Sequence, residues 1–101
     1  MSRYTRIDYN KALDKINESD TLVIDIRDKE SFDRGHIDGA LNLSNDNIEN
    51  FISKTNKEKS LIVCCYHGNS SQKAAEFLVN QGFLDVYSLD GGYEEWKNKK
   101  I

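Results

Sequence analysis

The chain has 101 residues, of which 38% are hydrophobic and 31% charged, so we expect residues 1–101 to form one folded domain rather than a disordered segment. A net charge of −3 provides no broad basic field, which argues against nucleic acid as a partner. No apolar run approaches the roughly 20 residues of a membrane-spanning helix, and residues 1–10 lack the pattern of a secretory signal. We therefore expect a cytoplasmic protein without a membrane partner.

The first predicted elements are a weak strand at Tyr4–Ile7 and an amphipathic helix that Asp8 caps and that ends near Ser19. A stronger strand follows at Leu22–Ile26. Its apolar residues are β-branched and do not alternate with polar ones, which is typical of a central strand covered on both faces of a parallel sheet.

The middle of the chain continues this alternation. A short turn capped by Asp28 and closed by Gly35 leads to a weak strand at Leu41–Leu43. A helix capped by Asn45 or Asp46 follows, with Ile48, Phe51 and Ile52 on its inner face. The next segment, Leu61–Cys65, is again short, apolar and non-alternating, and predicts a second central strand.

The strongest helix pattern begins after Ser70 and ends at Gly82. Its inner face is predicted to hold Ala74, Ala75, Phe77, Leu78 and Val79. A weak strand at Val86–Leu89 and a helix at Tyr93–Lys99 complete the order. Strands that alternate with helices predict an α/β domain whose central sheet is mainly parallel and flanked by helices.

The two cysteines, Cys64 and Cys65, are adjacent. An ordinary disulfide joins Cα atoms about 4.4–6.8 Å apart, whereas neighbouring Cα atoms are only about 3.8 Å apart, so the two thiols are expected to be free. Strand alternation places them on opposite faces, and we interpret Cys64 as strand filler. Cys65 ends a central strand, at the edge of the sheet where ligands bind in open α/β folds.

The segment after Cys65 joins this strand to the strongest helix. Backbone N–H groups at such a junction can form an anion-binding nest, which would favour the Cys65 thiolate and bind an anionic substrate. The candidate catalytic residue is therefore Cys65. The candidate substrate-binding residues are Tyr66, His67, Gly68, Asn69, Ser70 and Ser71.

Three other kinds of cysteine site fit this loop less well. A cysteine phosphatase or arsenate reductase needs an arginine six positions after the nucleophile, where this chain has Ser71. A thioredoxin-like couple needs two residues between its cysteines. A zinc site would use Cys64, Cys65, His67 and His36, but adjacent cysteines on a strand diverge, and we expect no metal.

Four motifs in order resemble the rhodanese family along almost the whole chain: Ile24–Asp28 with Phe32, Gly35–Asn42, Cys65–Ser71 and Asp90–Trp96. The third is similar to the loop of the family's single-domain bacterial thiosulfate sulfurtransferases. The resemblance implies a rhodanese-like three-layer α/β domain with a five-stranded parallel central sheet.

The resemblance also implies an activity. Cys65 would take the outer sulfur of thiosulfate as a persulfide, release sulfite, and pass the sulfur to cyanide or a small thiol, with thioredoxin as a further acceptor. It implies no cofactor, and we expect a monomer or weak dimer. The alternative is a sulfur-relay or persulfide-binding module that takes its sulfur from a partner protein.

Residues outside the loop also match the family's motifs. Asp25 and Arg27 are expected to form a structural ion pair or to bond the loop, and His36 to brace its own turn. Gly91–Gly92 would permit close approach of two backbone segments. Because the loop holds no cation, Arg27 and Lys73 are the nearest candidates for binding the sulfonate of thiosulfate.

Overall fold

A computed structural model of the chain describes residues 3–18 and 20–99. The described residues alternate between strands and helices, as the sequence pattern predicts. The elements are β1 (Thr5–Ile7), α1 (Tyr9–Glu18), β2 (Thr21–Asp25), α2 (Lys29–Arg34), β3 (Leu41–Asn42), α3 (Ile48–Lys54), β4 (Ser60–Cys64), α4 (Ser70–Asn80), β5 (Asp85–Leu89) and α5 (Gly92–Lys99). The segment predicted as a turn after Asp28 is a helix of six residues. The predicted end of α1 near Ser19 lies outside the described residues.

The strands of the described residues form one five-stranded sheet in the order β1-β5-β4-β2-β3, and every pair is parallel. The expectation of a parallel α/β domain is therefore confirmed. The two apolar segments form β2 and β4, which are interior strands of the sheet. Strand β2 pairs with β3 and β4, and β4 pairs with β2 and β5. In the β2–β4 register Asp25 lies beside Cys64, so both strands end at the edge of the sheet from which Cys65 continues.

Two hydrophobic clusters cover the faces of the sheet. On β4, Ile62 and Cys64 belong to the cluster beneath α1 and α5, while Leu61 and Val63 belong to the cluster beneath α3 and α4. All four side chains are fully buried. The alternation produces three layers, and it places Cys64 in the core as the sequence predicts.

The helix caps agree with the sequence at two positions and differ at a third. Asp8 accepts a hydrogen bond from the backbone of Lys11 at 2.9 Å, and Asp28 caps α2 by accepting from the Ser31 N–H at 3.1 Å. The prediction that Asn45 or Asp46 caps α3 is wrong, because Asn47 holds the N-cap position. A turn closes first, with the Ile48 N–H donating to the carbonyl of Ser44, and this delays the start of the helix.

The predicted inner face of α4 is wrong at Phe77. Ala75 and Leu78 are buried, whereas Phe77 is 45% exposed. A helix turns about 100° per residue, so Phe77 lies about 200° around the axis from Ala75 and faces away from the sheet.

No helix of the described residues is long and apolar enough to cross a membrane.

Candidate active site

Cys65 lies at the carboxyl edge of the sheet, directly after β4 and five residues before α4. Its side chain belongs to a residue that is only 5% exposed. Two backbone N–H groups donate to its sulfur, from Gly68 at 3.1 Å and from Ser71 at 3.3 Å. The loop thus wraps around Sγ with its amide dipoles pointing inward, which is the nest that the sequence predicts.

Gly68 permits this curvature. Its φ of +94° lies in the left-handed region, which disfavours residues with a side chain. A Cβ at this position would lie 2.9 Å from the Gly91 nitrogen and 3.1 Å from the Leu89 carbonyl oxygen. The loop therefore needs glycine here for its conformation and for its packing against the end of β5.

The amino end of α5 holds the opposite side of the loop. The Tyr93 N–H donates to the Cys65 carbonyl at 2.8 Å, and the Glu94 N–H donates to the Tyr66 carbonyl at 3.0 Å. A Cβ on Gly92 would lie 2.5 Å from the Cys65 carbonyl oxygen, so the predicted close approach of backbone to backbone is confirmed at this residue. With its carbonyls bound to α5, the loop leaves its N–H groups free to face the sulfur.

The electrostatic environments of the two thiols are opposite. Burial by itself raises the pKa of Cys65, but hydrogen bonds from the Ser71 hydroxyl and from the N–H groups of Ser71, Gly68 and His67 outweigh it, and the net pKa lies below that of an ordinary cysteine. Burial and the Asp25 carboxylate raise the pKa of Cys64 far above its usual range. Of the two, Cys65 is the one suited to react as a thiolate.

The predicted loop residues contribute in different ways. Gly68, Ser71 and His67 direct N–H groups toward the sulfur. The side chains of Tyr66, His67, Asn69 and Ser70 belong to exposed residues, whereas Ser71 is fully buried. The loop thus surrounds the Cys65 sulfur with backbone N–H groups rather than with a charged side chain.

Two contacts of the loop have no counterpart in the sequence-based prediction. The Tyr66 hydroxyl donates to the Asp28 carboxylate at 2.7 Å and also contacts the Ser31 hydroxyl. The hydroxyls of Ser71 and Ser88 are 2.8 Å apart, and both residues are fully buried. A small polar residue within the apolar pattern of β5 was the available signal for Ser88, whereas nothing local pairs Tyr66 with Asp28.

The expected ion pair of Asp25 and Arg27 is present and buried, with 2.8 Å between the Arg27 Nη2 and the Asp25 Oδ2. Arg27 also donates to the Gly35 carbonyl at 2.7 Å, and its guanidinium lies 4.2 Å from the centre of the Tyr93 ring. These contacts give Arg27 a structural role beneath the loop. Lys73, the other cation considered from the sequence, is exposed on α4.

His36 braces its own turn, as the sequence predicts. Its Nδ1 donates to the Phe32 carbonyl at 2.7 Å, and its ring stacks on the Phe32 ring with centroids 3.8 Å apart. Within the part of the chain that the structure describes, no group of three or more His, Cys, Asp or Glu side chains is placed to hold a metal ion.

Comparisons with known proteins agree with this geometry. The family model for the rhodanese-like domain matches residues 8–99. A protein from Shewanella oneidensis named thiosulfate sulfurtransferase GlpE is 47% identical over 96 residues, which cover 95% of each chain. A protein of the same name from Pseudomonas fluorescens is 50% identical over 97 residues, covering 96% of this chain and 88% of the other.

Solved structures give the same result. The crystal structure of a rhodanese-related protein from Thermoplasma volcanium superposes with a TM-score of 0.82 at 26% identity, over 97% of this chain and 95% of that one. A rhodanese-like domain protein from Staphylococcus aureus gives a TM-score of 0.79 at 27% identity, over 91% and 90% of the two chains. With its parallel sheet and its cysteine loop, the chain belongs to the rhodanese family.

Proposed function

We propose that this chain is a thiosulfate sulfurtransferase that carries the transferred sulfur on Cys65. The observation that carries the proposal is the ring of backbone N–H groups around the Cys65 sulfur, combined with the lowered pKa of that thiol. The names of relatives that are 47% and 50% identical over most of the chain support the choice of thiosulfate as the sulfur donor.

The reaction proceeds in two displacements. The Cys65 thiolate attacks the outer sulfur of thiosulfate, a new S–S bond forms, and the S–S bond of thiosulfate breaks as sulfite leaves with its electron pair. The anionic persulfide that remains on Cys65 is then attacked at its outer sulfur by an acceptor. With cyanide as acceptor the products are thiocyanate and the regenerated Cys65 thiolate, which is covalent catalysis of the ping-pong type.

The loop supplies what both steps require. Negative charge resides on the cysteine sulfur before the attack and on the outer sulfur of the persulfide after it. The N–H dipoles of the loop already point toward the cysteine sulfur. They can therefore stabilise the negative charge without reorganising and without a cationic side chain. Gly68 and Ser71 donate backbone N–H groups to Sγ at 3.1 Å and 3.3 Å.

The setting of this activity belongs to the same proposal. Both cysteines are free, which suits a reducing compartment such as the cytoplasm. A monomer or weak dimer belongs to the same proposal. Cyanide, a small thiol and thioredoxin are the acceptors we propose to compare.

The substitution Cys65→Ser tests the proposal. We expect thiocyanate formation from thiosulfate and cyanide to fall by about a thousandfold or more, because the nucleophile is lost. The matched control is Cys64→Ala, which changes the adjacent buried cysteine and should retain most of the activity. Intact-mass spectrometry after thiosulfate treatment should show one added sulfur in the Cys64 variant and none in the Cys65 variant. Full activity of Cys65→Ser would overturn the assignment.

A further inference from the structure

An open groove of about 870 Å³ is lined by residues of several elements and by none of the residues Cys65–Ser71. We call it the Phe77 groove. Its lining includes an apolar set contributed by the segments that follow β2 and β3 and by the helices α2, α3 and α4. These residues are Ile26, Phe32, Leu43, Ile48, Ala74 and Phe77.

Phe77 is the unusual member of this set. Phe77 is 45% exposed. It lies on α4, the helix that directly follows the Cys65 loop. Exposed aromatic side chains in a concave, partly polar surface are typical of protein-binding sites. Phe77 does not belong to the buried core of the chain, and its ring is therefore available to contact a partner.

Two structural elements connect the Phe77 groove with the Cys65 loop. Asp28 lines the groove and accepts the hydrogen bond of the Tyr66 hydroxyl at 2.7 Å. Helix α4 starts at Ser70 and reaches Phe77 after seven residues, which is about 10 Å along its axis. Phe77 therefore lies about two helical turns from the end of the loop that holds the Cys65 sulfur.

The polar rim of the groove has a net negative charge. Lys29 is engaged by Asp33 at 2.8 Å, and Arg27 is paired with the buried Asp25. Asp28 and Asp46 also line the groove, and within the described part of the chain neither forms a salt bridge. Hydrogen bonds from Tyr66 and Ser31 lower the pKa of Asp28 to about 2, so this carboxylate remains ionised. The complementary ligand is apolar and basic.

We propose that the Phe77 groove binds an apolar, basic segment of a protein thiol that accepts sulfur from Cys65. This inference rests on the proposed function and names the class of acceptor. An apolar side chain of the acceptor packs against Phe77, while its lysines or arginines face Asp28 and Asp46. The acceptor's thiolate attacks the outer sulfur of the persulfide, the S–S bond at Cys65 breaks, and Cys65 retains the electron pair as a thiolate.

Two synthetic peptide thiols test the proposal. One has a cysteine, two glycines and a tail of alternating leucine and lysine, and the other has glutamate in place of lysine. With thiosulfate as donor, we expect the lysine peptide to have a kcat/KM about tenfold higher than the glutamate peptide. Phe77→Ala should lower kcat/KM for the lysine peptide about tenfold, through KM, while the rate with cyanide stays unchanged. The matched control is Leu84→Ala, which removes an exposed side chain before β5 at the opposite edge of the sheet and should alter neither rate.

A charge reversal makes the test sharper. Asp46→Lys should bring the two peptides to similar kcat/KM values or invert their order. Equal rates for both peptides with the unsubstituted protein, or an equal loss with cyanide and with peptide in Phe77→Ala, would overturn the groove as an acceptor site. A dimer that dissociates on Phe77→Ala would also overturn it, because a second copy would then be the occupant. Absence of turnover with cyanide in the unsubstituted protein would instead contradict the proposed function.

Discussion

Cys64 and Cys65 are covalent neighbours with opposite surroundings. The Cys64 side chain points into the cluster beneath α1 and α5, near the carboxylate of Asp25, and its thiol is held neutral. The Cys65 sulfur lies among N–H donors that favour its anion. Successive side chains along a strand point in opposite directions, so one thiol lies in the core and its neighbour is suited to nucleophilic chemistry.

At this scale the first prediction concerns Ser71. Because its hydroxyl and N–H both lower the pKa of Cys65, Ser71→Ala removes one donor and should raise that pKa. The thiolate is lost as pH falls through the pKa, so the acidic limb of the rate of persulfide formation should move to higher pH. The limb can be followed in stopped-flow assays with thiosulfate, together with the ultraviolet absorbance of the thiolate.

The control for this experiment is Ser53→Ala. The Ser53 hydroxyl is exposed and donates to the Asn50 carbonyl of its own helix. Its pH profile should match that of the unsubstituted protein. An unchanged acidic limb in Ser71→Ala would show that the hydroxyl does not stabilise the Cys65 thiolate.

Helix α5 acts at the scale of the element. The N–H groups of Tyr93 and Glu94, at its amino end, hold the carbonyls of Cys65 and Tyr66. The helix therefore determines which way the peptide groups of the loop face. Gly92, at φ +58°, is the residue that allows the two backbones to approach.

We predict that Gly92→Ala separates α5 from the loop and lowers kcat for thiocyanate formation at least tenfold. A Cβ there would lie 2.5 Å from the Cys65 carbonyl oxygen. The Cys65 pKa should rise in this variant, because its N–H donors lose their alignment. That rise, measured by thiolate absorbance, separates a positioning effect from a general loss of stability.

Gly39→Ala is the matched control. Gly39 also has a left-handed backbone, with φ +82°, but a Cβ there meets nothing within 4 Å. Both variants bear the cost of that backbone conformation, about 1–2 kcal/mol. Gly39→Ala should therefore reduce stability and leave kcat and the Cys65 pKa unchanged. Equal kinetic effects of the two substitutions would contradict the role of α5.

At the scale of the whole molecule, β4 connects the two cores. Its neighbours on either side are β2 and β5, and its side chains alternate between the two clusters. The strand also leads directly into Cys65. The rigidity of the site therefore depends on packing at the centre of the sheet, where both layers meet.

Truncation at the centre should cost far more stability than truncation at the edge. Ile62 on β4 is fully buried, and Ile62→Ala should lower the free energy of unfolding by about 2–5 kcal/mol. Leu41 on the edge strand β3 is 42% exposed, and Leu41→Ala should cost about 1 kcal/mol or less. Urea denaturation followed by circular dichroism measures both. Similar losses would show that β4 is not the principal support of the fold.

The sequence alone predicts the order and type of most elements, the caps Asp8 and Asp28, and the position of Cys65 at the end of a central strand. These features depend on residues that are close in the chain, through periodicity, capping and alternation. The anion nest is predicted for the same reason, since a strand, a glycine-containing loop and a helix follow each other without interruption.

Only the tertiary structure decides which faces are covered and which distant residues meet. It places Phe77 outside the core, because the sheet occupies the side of α4 that carries Ala75 and Leu78. It pairs Tyr66 with Asp28 across 38 positions of sequence, and the amino end of α5 with the carbonyl of Cys65. Such contacts arise from the order β1-β5-β4-β2-β3, which brings separate segments to one edge of the sheet and which no local pattern encodes.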